Sequence, residues 1–373
     1  MAVTIQTSPN NYTPSDNPLS YTFSSTQTGQ ANFSFKVEII LNGATVSEDR
    51  VFVGSGTYGH YDASPIVKNL MQSPRVTTAL NTSMDIISTL ALKVTEIYGT
   101  TPVAVGTVTS SDIFTFKASL APKEWEDSDF VADYLNTKWL TDTPNNTFRV
   151  IRGQDALCAM LISTNSTIRF DFYDSSDFNL NTYSTTLNYR YWQVNASSAN
   201  LAAVYGGVDY NDVAYFTVRI GASEPLTFIY VDEYCNDIHE LVWLNKYGTY
   251  DQYPIEHNVS EESEIETRSF RKKYGAWNGT AFGYDSNSSG SIDFEKTITD
   301  KGSLVTNYMT DTVQNWFVSA YDSPEQYLYN PSGLLFRLNL TDRSYKNKQG
   351  RFDELIMEEM KYSRTMTRST IKL

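Results

Sequence analysis

Histidine and cysteine are scarce in this sequence, at three and two among 373 residues. Cys158 and Cys235 cannot build a disulfide framework and lack the spacing of a zinc module, which leaves a single bridge or two buried thiols. His60, His239 and His257 show no metal-ligand spacing, and no Gly-x-Ser-x-Gly elbow is present to raise a nucleophilic serine. Long apolar runs are missing too: the longest, Ala156 to Ile162, is far short of the roughly 20 residues that cross a bilayer, so no membrane span is expected. The opening residues contain neither the basic nor the apolar segment of a secretion signal, and none is expected. Positive charge is in deficit, with 29 Lys and Arg against 43 Asp and Glu and a net charge of -14. That balance argues against specific nucleic-acid binding, which needs a basic surface to neutralise phosphates. The deficit is greatest in the middle of the chain, where residues 121–248 hold 17 of the acids and 8 of the bases.

Aromatic residues, by contrast, make up 14% of the chain and charged ones only 19%, the opposite of a disordered composition. Their placement follows a period of two. Leu19, Tyr21 and Phe23 alternate with polar residues, as do Phe33, Phe35, Val37, Ile39 and Leu41, after which Asn42-Gly43 predicts a tight hairpin turn. Further alternating runs at Leu90–Val94, Val103–Val105 and Phe114–Phe116 lead to a break at Ala121-Pro122. Strand number and size over 1–120 predict an immunoglobulin-like β-sandwich, interrupted by one short helix from Pro65 to Gln72 with Asp62 or Ser64 as its cap.

Residues 121–248 read as an acidic β-rich domain of short strands. It closes on Leu241–Leu244 entering an Asn245-Lys-Tyr-Gly248 turn, with Gly248 left-handed and a strand returning through Tyr250 and Tyr253. Residues 249–373 read as an α+β domain. Here Glu261–Glu266 gives way to basic Arg268–Lys273, and Ser303 is expected to cap a longer helix through Leu304, Tyr308, Val313, Trp316 and Phe317. The segment ends in an alternating strand near Met366, with the terminal cations Lys361, Arg364, Arg368 and Lys372, that either pairs within its own domain or serves as an arm reaching an acidic surface on a neighbouring subunit, the arm being the expectation. The fold class expected is thus mainly β, built of sandwich domains with a few short helices and one longer C-terminal helix.

Four patterns invite chemistry. Gly54-Ser-Gly56-Thr-Tyr-Gly59 matches a dinucleotide-binding fingerprint, but its glycines do not open the following helix, and a plain loop is expected. The stretch Asp285–Asp293 matches a calcium loop: Asp285, Asn287, Ser289, Ser291 and Asp293 supply oxygen ligands, and Gly290 makes the turn. Lys296 occupies the position of the usual bidentate Glu and helical flanks are missing, so an ordered turn that needs no ion is the expectation, with calcium the alternative. Asp171, Asp174 and Asp177 recur every third residue at what reads as a strand end. His239 lies midway between Cys235 and Trp243, which reads as a partly buried strand or helix turn rather than a Cys–His catalytic pair.

A composition typical of particle-surface β-proteins on a chain without a secretion signal suits a virion protein folded in a host cytoplasm. Ile5-Gln-Thr-Ser-Pro9, Asn17–Ser25, Ala31-Asn-Phe33, Asp232–Cys235, Leu241–Asn245, Gly248–Asp251, Ser323–Tyr327 and Phe352–Leu355 resemble segments of structural proteins of tailed bacteriophages infecting Bacteroidota-type hosts, crAss-like phages among them. The resemblance implies a tail, neck or capsid-associated component, and the expectation built on it is a homo-oligomeric ring, hub or connector of the tail or neck. Its partners would be other tail, neck or portal proteins, and it implies no catalytic residue. The competing expectation is a carbohydrate-binding or adhesive β-sandwich, and, behind that, a glycoside hydrolase with two facing carboxylates.

Overall fold

A computed structural model describes residues 3–53, 56–73, 75, 87–127, 130–162, 165–187, 191–231, 238–256, 259–271, 275–284, 291–341 and 357–369. The chain is mainly β and divides into two compact units, Met1–Asp232 with Leu244–Gln252, and Glu233–Trp243 with Tyr253–Leu373. The sequence boundary at 120 falls inside the first unit. That at 248 falls inside the short segment which returns to it.

The first unit opens with β1 (Val3–Thr7), β2 (Thr13–Pro14), β3 (Ser20–Ser25), β4 (Ser34–Leu41), β5 (Ala44–Val51), β6 (Tyr58–Asp62), α1 (Ser64–Leu70), β7 (Ile87–Tyr98), β8 (Val103–Thr109) and β9 (Ile113–Phe116). One sheet has the order β1-β3-β6 and the other β2-β9-β7-β4-β5, with β8 also on β7. The alternation explains why they close on each other: Tyr21 and Phe23 from the first sheet and Phe35, Val37, Ile39, Leu90, Leu92 and Val94 from the second share one buried cluster. Between Leu41 and Ala44 the two-residue loop is left-handed at both positions, with φ of 51° at Asn42 and 78° at Gly43, as the twist of a hairpin demands. The Asn42 side chain also accepts from the Thr89 amide at 2.9 Å and so ties the turn to β7. Helix α1 begins one residue earlier than its expected start, with Pro65 in its first turn and the Asp62 carboxylate accepting from the Ser64 amide.

The remainder of this unit contains α2 (Pro122–Asp127), α3 (Phe130–Tyr134), β10 (Thr147–Ile151), β11 (Leu157–Leu161), β12 (Ser166–Tyr173), β13 (Asn179–Leu187), β14 (Tyr191–Asn195), α4 (Ser198–Val204), β15 (Tyr215–Ile220) and β16 (Leu226–Val231). A five-stranded sheet of order β10-β16-β15-β12-β13 buries Phe170, Phe172, Phe216 and Phe228. Phe216 and Phe228 stack 4.9 Å apart. Strands β11 and β14 pair separately, and Cys158 in β11 is a buried free thiol rather than half of a bridge. Cys235 lies outside the described residues.

The second unit comprises β17 (His239–Leu244), β18 (Tyr250–Ile255), β19 (Val259–Arg271), β20 (Gly275–Trp277), β21 (Phe282–Tyr284), β22 (Ser291–Val305), α5 (Asp311–Phe317), α6 (Ser319–Asp322), β23 (Gln326–Tyr329), β24 (Leu335–Leu340) and β25 (Glu359–Ser369); the inner ends of β17 and β18 carry the segment assigned to the first unit. A seven-stranded sheet runs β18-β17-β23-β24-β25-β22-β19. Trp243, Tyr253, Trp316 and Phe317 form its aromatic core, with Trp243 and Trp316 5.1 Å apart.

Two expectations for this region are corrected. The longer helix from Ser303 does not form: Ser303 and Leu304 belong to β22, opposite Ser260 and Val259, and a seven-residue helix starts after Thr310, whose hydroxyl accepts from the Val313 amide. Leu304 and Tyr308 match helical spacing only by coincidence, because Leu304 is a buried strand residue and Tyr308 is exposed. The C-terminal strand is no arm. β25 lies between β24 and β22, and Met360 and Tyr362, on one face, are fully buried.

Candidate interaction surface

β19 reads Val-Ser-Glu-Glu-Ser-Glu-Ile-Glu-Thr-Arg-Ser-Phe-Arg, a poor strand sequence on propensity because Glu disfavours the pleated state. It is held in strand form by antiparallel pairing with β22 along its whole length, interrupted by a bulge at Arg268/Ser269. Every residue after Val259 is exposed. Among the described residues no strand pairs with its outer side, so β19 is an edge with unpaired backbone donors and acceptors.

Side chains on the inner side fix it to the sheet. Ser263 donates to the Asp300 carboxylate at 2.7 Å, and the Ser260 and Ser303 hydroxyls meet at 2.9 Å. Lys301 contacts Glu264, a hydrogen bond that raises the pKa of the lysine, and Arg268 reaches Glu295 at 3.3 Å. Arg364, which the sequence places among the terminal cations, meets Glu261 and lies with its guanidinium 4.3 Å from the centre of the Phe336 ring. The acidic surface expected to receive it from a neighbour is supplied by its own sheet.

Exposed apolar groups gather along the same stretch of chain. Ile265 and Phe270 on β19 are exposed, and Phe270 contacts Phe294. In the β20–β21 hairpin that follows in sequence, Trp277 lies opposite Phe282, with Trp277 65% exposed. Asn278 shapes that turn by accepting from the Thr280 and Ala281 amides at 3.0 and 2.9 Å.

Among the described residues, those singled out in the sequence do not converge on one site. Asp285, Asn287 and Ser289 lie outside the described residues, while Ser291 and Asp293 are exposed at the start of β22, where Asp293 lies 3.6 Å from the Lys296 ammonium. Asp171 is buried between Arg169 and Thr182, Asp174 accepts the Ser176 and Phe178 amides in a turn, and Asp177 accepts from the Tyr215 hydroxyl. These three carboxylates serve as local structural acceptors. His239 is in β17 and His60 in β6, while His257 is outside the described residues. Gly59 is a strand residue opposite Phe23 rather than part of a phosphate-binding turn, and Gly54 is outside the described residues. Among the described residues no group of three or more His, Cys, Asp or Glu is placed to hold a metal ion, and no helix is long and apolar enough to cross a membrane.

A different buried cluster escapes sequence reasoning. In the returning segment, Asn245 donates to the Leu140 carbonyl at 3.0 Å and the Asp251 carboxylate at 2.9 Å, and accepts from the Tyr247 and Thr249 amides. Tyr247 donates to Asp142 at 2.7 Å, and Lys246 bridges Glu124 and Asp142. Burial and the neighbouring Asp142 charge push the Tyr247 phenol far above its ordinary pKa. The cluster anchors the segment within the first unit: Asn245, Tyr247, Thr249 and Asp251 are buried and bonded, and Lys246, Asp142 and Glu124 form its more exposed rim.

No family model matches the chain, and no curated protein matches it.

Proposed function

We propose that this chain is a structural protein of a bacteriophage particle, assembling as a multimeric ring, hub or connector of the tail or neck beside other tail, neck or portal proteins. The observation that carries the reading is the long, exposed outer edge of β19, a ready template for intermolecular strand pairing. The sequence resemblance supports the particle assignment. The same reading takes the N-terminal sandwich as an immunoglobulin-like domain, the chain as non-enzymatic, and its location as the virion. The acidic residues of 121–248 suit a wall beside a DNA conduit, since a negative surface does not hold a passing duplex. Mass measurement and electron microscopy of the purified chain test this: a discrete closed multimer with a density counterpart in the source particle is expected, and a persistent monomer absent from the particle overturns it.

Trp277 favours a second reading, adhesion to glycans, because an exposed indole beside Phe282 offers a flat apolar face to a sugar ring. Glycan-array binding that is lost in Trp277→Ala would support it over assembly.

A further inference from the structure

We infer that β19 pairs edge to edge and antiparallel with β19 of a second copy of this chain. The inference rests on the assembly reading and names its contact.

Charge is segregated along the strand. All four acids, Glu261, Glu262, Glu264 and Glu266, precede Thr267, and both bases, Arg268 and Arg271, follow it. A strand edge with one sign of charge repels its own copies, which is how many natural sheets protect an edge. Segregated charge behaves differently. In a parallel pair, acids would face acids and bases would face bases. In an antiparallel pair related by a two-fold axis near Thr267, the acidic half of each copy lies against the basic half of the other. The strand is thus self-complementary in the one orientation a closed dimer requires.

Three further features agree. Pairing with β22 along thirteen residues, with one register shift at Arg268/Ser269, holds the backbone extended over roughly 40 Å, so the outer donors and acceptors are presented as a preformed row. Exposed Ile265 and Phe270 flank the proposed axis on its two sides, where pairing would cover both. The bonds of Ser260 and Ser263 to β22 hold the strand before any partner arrives, which lowers the ordering cost of association.

Charge-reversal pairs test the contact in the full-length chain. One variant carries Glu262→Arg and Glu266→Arg, the other Arg268→Glu and Arg271→Glu, with circular dichroism to establish that each is folded. Sedimentation velocity should show the wild type self-associating, each variant alone weakened by at least about tenfold, and the two variants mixed recovering a mixed pair. Wild-type association that persists unchanged in both variants overturns the β19 contact and leaves assembly through another surface. Failure of the mixture to recover overturns it as well. A wild type that stays monomeric at tens of micromolar overturns both the contact and the assembly reading. Should a reversal variant fail to fold, Glu262→Gln with Glu266→Gln replaces it, and undiminished association of that variant at low salt overturns the contact.

Discussion

The carbonyl oxygen of Lys117 lies 1.5 Å from where a β-carbon would stand on residue 248, and Gly248 has a φ of +74°. Only glycine satisfies both conditions, so the turn at Asn245–Gly248 can seat against Lys117 with no other residue at its last position.

Gly248→Ala should therefore cost more than about 3 kcal/mol, combining backbone strain with a main-chain clash. Gly43→Ala makes the comparison, because Gly43 is also left-handed, at +78°, but has nothing within 4 Å of its would-be β-carbon. It should cost only about 1–2 kcal/mol, the αL penalty alone. Urea unfolding of both variants checks the contrast, and equal losses would show that the Lys117 contact yields.

Asn245→Ala should destabilise the chain by about 2–4 kcal/mol, since it strips partners from the Tyr247 and Thr249 amides inside a buried cluster. Thr249 still donates to the Leu140 carbonyl at 2.8 Å, so the double variant with Thr249→Val should lose more than the sum of the single changes. Denaturant midpoints for the single and double variants would measure this, and simple additivity would mean that the groups act independently.

Alkali should unfold the protein in a defined window. Burial raises the phenols of Tyr21 and Tyr362 from 10.0 to about 12. The folded chain then keeps protons that the unfolded chain releases, so their contribution is complete below about pH 10 and is lost as the pH climbs toward about 12. Melting temperature should be flat with respect to these groups below the window and fall through it, and Tyr21→Phe with Tyr362→Phe should flatten the fall. An unchanged slope in that double variant would assign the loss to other groups.

Cys158 should resist thiol reagents until the chain unfolds, because burial blocks access and raises its pKa well above the thiol range. In a Cys235→Ser background, labelling should track denaturation in urea. Rapid labelling of the native protein would show that β11 opens on its own.

Much of the architecture was legible because burial imposes a period. Tyr21 with Phe23 and Phe35 with Val37 announce two facing sheets, Asn42-Gly43 announces its turn, and Gly248 announces its left-handed end. The helix expected from Ser303 shows the limit: Leu304 is equally apolar in a strand, and only the pairing of β22 with β19 and β25 decides its state. The candidate interaction surface was half visible. The change from Glu261–Glu266 to Arg268 and Arg271 stands in the sequence, but whether a strand lies inside a sheet or at its rim depends on partners far along the chain. For the same reason Arg364 pointed to an acidic partner without revealing that Glu261 of its own sheet supplies it. Asn245 carried no signal beyond its turn, since its partners Leu140 and Asp251 flank it from distant and near positions alike.

The first unit is discontinuous, ending at Asp232 and resuming at Leu244–Gln252. During synthesis, its last buried pieces emerge only after the ribosome has already begun the second unit. Maturation of the first unit must wait for that stretch, leaving the Leu140 carbonyl and the Leu157 amide to water until Asn245 and Gln252 arrive. A gene fragment ending at residue 232 would encode an unfinished fold, so exchange of this unit between related genes by recombination requires a cut beyond Gln252 rather than at the apparent domain seam.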